Sequence, residues 1–342
     1  MSPKDCKLRL LNRMLDLVWS QWITLGISGN ARLVEKWVLD PEALVLFTCT
    51  VGRYEARVFD SMLEWLNINQ RFLNIQRLKT INQRENFAGK QLLAAIAHLL
   101  MKPVSRSKWE RLSKEILNYP LRSEPLFRLK DGAPHPWLGD SDDAFSNAGY
   151  IRQKFRQRNT VMPFKPELSA NLILKLRALF GLNSRCEVIS YLLTHKEANP
   201  TEIAAATGYS SKTIYNAISE MYMSGKLNKR VSGRESLYSL RDNSWQIFLC
   251  PAGRTANWMD WPRAFRALEI IWMALDNPIL ENEPIQTIEN ELILAIHKVL
   301  PQLLQTAPSK VMQLQRTIDL PSPRFEELCS ILCDLVEFYE TG

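Results

Sequence analysis

Residues 198–240 read ANPTEIAAATGYSSKTIYNAISEMYMSGKLNKRVSGRESLYSL, and the starts, stops and turns in this stretch decide the fold. Asn199 stands at an N-cap position, Pro200 at the first helical position and Glu202 at the third, a start resembling a capping box. The short helix that follows contains Ile203, Ala204, Ala205 and Ala206, small enough for another helix to approach closely. It stops at Gly208, the residue type that tolerates a sharp turn. A second helix opens at Ser210 as N-cap, with Tyr209 before it and Ile214 beyond it placed as a hydrophobic staple. Ile214, Ala217, Ile218 and Met221 share its apolar face, leaving Ser211, Lys212, Tyr215, Asn216 and Ser219 on the other. Gly225 ends that helix. Two short strands then flank the turn Ser232, Gly233, Arg234 and Glu235, with Leu227, Tyr238 and Leu240 able to anchor the base of the hairpin.

Immediately upstream, residues 185–193 supply one more helix, with Val188, Ile189, Leu192 and Leu193 as its buried face. The order helix, helix, turn, helix, hairpin predicts a winged helix-turn-helix over about 184–241. Its recognition helix would span about 210–224 and its wing about 227–241. The polar face of the recognition helix carries donors, an acceptor and a cation, the inventory that meets base edges and phosphates in a major groove. Lys229, Arg230 and Arg234 gather towards the hairpin tip, where a wing meets the DNA backbone or minor groove. Residues 184–241 hold eight Lys or Arg against five Glu, a formal +3.

This stretch resembles the ArsR and MarR type of winged-helix bacterial and archaeal regulators, and PELSANLILKLRALFG before it is similar to the helix that leads into such domains. The resemblance implies that Ser210, Ser211, Lys212, Thr213, Tyr215 and Asn216 align with base-reading and phosphate-contacting positions. It likewise implies that Lys229, Arg230 and Arg234 align with the wing. ArsR-type metal sensors carry a cysteine pair in the first helix of the helix-turn-helix pair; here that helix is TEIAAATG, with none. No cofactor or metal is therefore expected.

Outside this module the pattern is helical. Leu8, Leu11, Leu15, Val18, Trp22 and Leu25 form a seam closed by Gly26. Pro41 follows a capping Asp40, and Phe59, Met62, Leu63 and Leu66 make a stripe. Helical periodicity returns at 261–276, 285–304 and 325–339, with prolines 278, 284, 301, 308, 321 and 323 read as breaks. The fold class expected is mainly α: an N-terminal helical domain (1–101), a Pro-rich connecting region with short helices (102–165), the winged module (166–250) and a C-terminal helical domain (251–342). In the connecting region, prolines 103, 120, 125, 134, 136, 163 and 166 and the run DGAPHPWLGDSDD (131–143) read as exposed loop. Arg152, Lys154, Arg156 and Arg158 there read as a solvated face or a phosphate-contacting arm.

The chain of 342 residues has a formal charge of +7 and a composition of 46% hydrophobic and 23% charged residues, which fits a globular protein with an anionic partner. No run approaches the roughly 18 apolar residues of a membrane helix, and the start lacks a signal peptide's apolar segment, so a cytoplasmic protein is expected. Its six cysteines (6, 49, 186, 250, 329, 333) read as free buried thiols, Cys329 and Cys333 sharing a packed face. The four histidines (98, 135, 195, 297) lack zinc-site spacing, and Gly89-Lys90 lacks the upstream glycine of a phosphate loop. Nothing supports an enzyme. The expected function is sequence-specific binding of double-stranded DNA as a transcriptional regulator, as a homodimer joined through 172–180 and the C-terminal helices. The alternative is a winged-helix protein–protein adaptor or antitoxin-like interaction protein, with the helical flanks as the partner surface.

Overall fold

Helix starts in this chain repeat one device, a short polar side chain accepting from the main-chain N–H three residues on, with proline beside it. Ser2 accepts from Asp5 at 3.2 Å, Asp40 from Ala43 at 3.1 Å, Asn199 from Glu202 at 2.8 Å and Asp260 from Arg263 at 3.2 Å. The computed structural model describes residues 2–103, 106–115, 123–136, 139–250, 255–322 and 324–341. Pro120, Trp137, Leu138, Pro323 and the residues at the domain limits 1, 251 and 342 lie outside them.

The architecture is mainly helical. In chain order the helices are α1 (Pro3–Thr24), α2 (Pro41–Val51), α3 (Ala56–Asn69), α4 (Ile75–Glu85), α5 (Lys90–Leu100), α6 (Arg106–Ser113) and α7 (Asp143–Ser146). Two short strands, β1 (Glu124–Pro125) and β2 (Tyr150–Ile151), flank α7 and pair in parallel. Next come α8 (Leu172–Phe180), α9 (Ser184–Thr194), α10 (Pro200–Thr207) and α11 (Ser211–Met223). An antiparallel pair follows, β3 (Leu227–Ser232) and β4 (Glu235–Leu240), then α12 (Ser244–Leu249). The chain closes with α13 (Trp261–Leu275), α14 (Ile285–Thr306), α15 (Pro308–Ile318) and α16 (Phe325–Thr341).

The two helical flanks, expected as separate domains, share one apolar cluster. α1 packs on α16 and α2 on α13, with Phe47 stacked on Phe265 at 4.6 Å between ring centres. In α1 the buried seam is Leu11, Leu15, Val18 and Trp22, while Leu8 is exposed. The cysteine expectation is corrected here: Cys6 of α1 and Cys329 of α16 form a disulfide, their Cα atoms 5.9 Å apart, and Cys49, Cys186, Cys250 and Cys333 are free and buried. Two proline readings also change. α14 continues through Pro301, because Val299 and Leu303 on either side are fully buried and packing outweighs the lost hydrogen bond. Pro308 opens α15 from its first position.

A second apolar cluster gathers α8 to α12. Most of the α8 face assigned to a second copy is taken up inside the chain: Leu172, Ile173, Leu174 and Leu176 are buried, while Ala178, Leu179 and Phe180 at its end are exposed. Of the expected dimer surface 172–180, the buried residues between 172 and 176 are therefore not free to meet a second copy.

Where the two clusters meet, a buried ion network joins them. Arg77 of α4 donates from Nη1 to Asp40 at 2.8 Å and to Glu42 at 2.5 Å. Arg177 of α8 donates to Glu42 at 2.7 Å and to Glu187 of α9 at 2.7 Å. All five side chains are buried, and such charges persist only when paired and hydrogen-bonded. Burial pushes the Asp40 carboxyl up, but the Arg77 guanidinium outweighs it and holds the group below its ordinary range.

Candidate nucleic-acid interface

Helix α11 is positioned from behind. Ile214, Ala217, Ile218 and Met221 are buried against α9 and α10, so the opposite face points to solvent. Ser210 caps it, its hydroxyl accepting from Thr213 N–H at 3.2 Å and lying 2.8 Å from the Thr213 hydroxyl. Ser210, Ser211, Lys212 and Thr213 are exposed in the first turn, and Tyr215 and Asn216 follow on the next. No described acid forms an ion pair with Lys212. The first turn presents unbonded main-chain N–H groups and the positive end of the helix dipole, a setting that favours phosphate.

The turn before α11 is clamped to the helical body. Gly208 adopts φ +75°, and a Cβ there would stand 3.0 Å from Ile81 Cγ1 of α4. Arg77 Nε donates to the Thr207 carbonyl at 2.6 Å, Arg84 Nη1 to the Ala205 carbonyl at 2.7 Å and Asn74 Nδ2 to the Tyr209 hydroxyl at 2.8 Å. The two guanidiniums satisfy C-terminal carbonyls of α10, where cations are also favoured by the dipole. Asn199 caps α10 as read. The Glu202 carboxylate, however, accepts from the Tyr191 hydroxyl at 3.3 Å.

In the hairpin, Leu227 pairs with Leu240 and Ser232 with Glu235, leaving Gly233 and Arg234 at the tip. Ala198 joins the other edge of β4: its N–H donates to Tyr238 O at 3.0 Å and its carbonyl accepts from Tyr238 N–H at 2.8 Å. Leu227 and Tyr238 are buried and anchor the base. The three cations of the hairpin are not equivalent. Arg234 is exposed and no described acid pairs with it. Lys229 lies over the Tyr238 ring at 5.9 Å. Arg230 is engaged by Glu197, Nε to Oε2 at 3.0 Å with a second bond from Nη2 to Oε1, and these bonds hold the Glu197 carboxyl below its ordinary range.

Glu197, Arg77 and Arg84 were not among the residues singled out from sequence. Each acts across a long separation, through the Ala198–Tyr238 bridge or the packing of α4, and no local pattern reports that. The basic run at 152–158 divides: Arg152 is buried and ion-paired to Asp60 at 2.9 Å, whereas Lys154, Arg156 and Arg158 are exposed. Among the described residues no helix is long and apolar enough to cross a membrane. Comparison of the chain with family models, curated proteins and solved structures finds no match.

Proposed function

We propose that residues 184–241 are a winged helix-turn-helix and that the chain binds double-stranded DNA as a transcriptional regulator. The observation that carries this reading is the two-sided character of α11. Its apolar face is fully buried, and its first two turns expose Ser211, Lys212, Tyr215 and Asn216 beside a capped, positively polarised N-terminus. The antiparallel hairpin supports it, with Arg234 at the tip and Lys229 on the adjoining strand. The likeness of 198–240 to ArsR and MarR regulators agrees with it. Two copies on a symmetric site would place two such helices one DNA turn apart.

The test is fluorescence anisotropy of the full chain against duplex DNA from upstream of its own coding sequence and against a scrambled duplex. Measurements at about 50 and 200 mM salt should differ by orders of magnitude if several phosphates are contacted. A variant combining Lys212→Glu, Arg230→Glu and Arg234→Glu should lose that binding. Absence of binding to either duplex at micromolar protein overturns the reading.

One observation favours a second reading, a winged-helix adaptor or antitoxin-like protein that docks a protein partner. Apolar side chains are also exposed on α11 and the hairpin: Tyr215 is 58% exposed, Met223 78% and Val231 68%. Under that reading the triple charge reversal leaves partner binding intact, and Met223→Glu with Val231→Glu abolishes it.

A further inference from the structure

The arm after β2 carries Arg152, Lys154, Arg156 and Arg158, and all four line one cleft of about 710 Å³. Ala56 and Asp60 of α3 and Phe127 also line it. Arg152 is committed to the framework. Its guanidinium is buried, paired with Asp60 at 2.9 Å, and lies over the rings of Phe127 and Phe145 at 5.3 and 5.0 Å. The main chain of the arm is pinned as well: the N–H groups of Arg158 and Thr160 donate to the Glu64 carboxylate of α3 at 3.0 and 2.9 Å. What remains to a ligand is the exposed side chains of Lys154, Arg156 and Arg158, with which no described carboxylate forms an ion pair. Asp140 is the other acid of the lining, so the cations prevail there once Asp60 is matched to Arg152.

Cations held on a fixed main chain around one concavity repel one another, and a multivalent anion relieves that repulsion. Arginine forks match phosphate oxygens in pairs, and guanidiniums without an ion-paired carboxylate are available for that. The cavity volume lies within the range of about 300–1,000 Å³ typical of small-ligand sites. We propose that this cleft binds a small oligophosphate of the nucleoside di- or triphosphate class, with Lys154, Arg156 and Arg158 on the phosphate oxygens. The site is separate from α11 and the hairpin and does not depend on the DNA reading.

The experiment is isothermal titration calorimetry of the full chain with ATP and, separately, with inorganic triphosphate. The same titrations are run on the double variant Arg156→Glu/Arg158→Glu, with circular-dichroism melting to confirm that it folds. The parent chain should bind saturably, more weakly as salt rises, and the double variant should lose about 10- to 100-fold or more. Tighter binding of ATP than of triphosphate assigns a nucleotide; equal affinities assign the phosphates alone as the recognised group. Lys229→Glu and Arg234→Glu should leave both affinities unchanged. Failure to saturate at about 5 mM of either probe, or equal affinity in parent and double variant, overturns the proposal. So does a double variant that loses only duplex DNA, since the arm is then a DNA contact.

Discussion

Arg77 Nε donates to the main-chain carbonyl of Thr207 at 2.6 Å, and through that bond the last turn of α10 is fastened to the ion network at the start of α2. The guanidinium therefore serves two jobs at once: it neutralises Asp40 and Glu42, and it closes the turn from which α11 departs.

Arg77→Met keeps an unbranched stem but removes the guanidinium, leaving Asp40 buried without its cation and Glu42 with Arg177 alone. Removing one partner of a buried network destabilises by about 3–5 kcal/mol, because the remaining charge stays desolvated. Urea unfolding should show that loss as a lower midpoint, and amide exchange across α10 and α11 should quicken more than across α13. A loss below about 1 kcal/mol, the scale of a surface pair, would mean that the network does not hold the two clusters together.

The same network gives a pH dependence with a defined sign. Burial raises the Asp40 carboxyl and Arg77 overrides it, so the folded value lies below the ordinary 3.8. A depressed carboxylate contributes stability above its unfolded pKa and loses it as pH falls through the folded value. Asp40→Asn retains an N-cap for α2 but removes the charge. The stability gap between parent and variant should be flat above about pH 5 and shrink as pH drops below that. A gap that persists unchanged into acid would show that the charge of Asp40 contributes nothing.

Gly208 and Gly233 separate two costs of a side chain in the left-handed region. Both have positive φ, +75° and +61°, but a Cβ at 208 meets Ile81 Cγ1 at 3.0 Å whereas one at 233 meets nothing within 4 Å. Gly233→Ala should cost about 1 kcal/mol from backbone strain alone. Gly208→Ala should cost more, by the energy needed to push Ile81 back from the turn. Equal losses in thermal melts of the two variants would show that α4 yields freely and does not clamp the turn.

The 198–240 segment was legible because each of its boundaries is fixed by local chemistry. Asn199 and Ser210 cap, Gly208 and Gly233 take positive φ, and the Ile214–Ile218 face repeats at helical spacing. Its docking was not legible, since Arg77, Arg84 and Asn74 reach it from more than a hundred positions away. Amphipathic stripes in α1, α13 and α16 state which face is buried but not which helix it meets, so two flanks with one core read as two domains. The Cys6–Cys329 bond spans 323 positions and has no spacing signature. Among the candidate contacts, the polar face of α11 is exposed as read. Arg230 differs, because the bridge from Ala198 to Tyr238 brings Glu197 beside it.

That pairing makes Glu197 a competitor for any phosphate that Arg230 would contact. With Arg230 exposed and doubly bonded to Glu197, DNA bound as proposed would either displace the carboxylate or leave the arginine where it is. Glu197→Gln removes the negative charge while keeping the shape of the side chain, and it frees the guanidinium without adding a cation. If the wing lies on the DNA backbone, the variant should bind duplex more tightly at about 50 mM salt. Its log–log salt slope should steepen by about 0.9, one further counterion released. Arg230→Gln isolates the residue: it should change little from the parent chain, and it should abolish the gain when combined with Glu197→Gln. A Glu197→Gln variant with unchanged affinity and slope would make the pair a clip that holds β3 against the 197–198 edge. Under the DNA reading, the hairpin's phosphate contacts would then be left to Arg234 and Lys229.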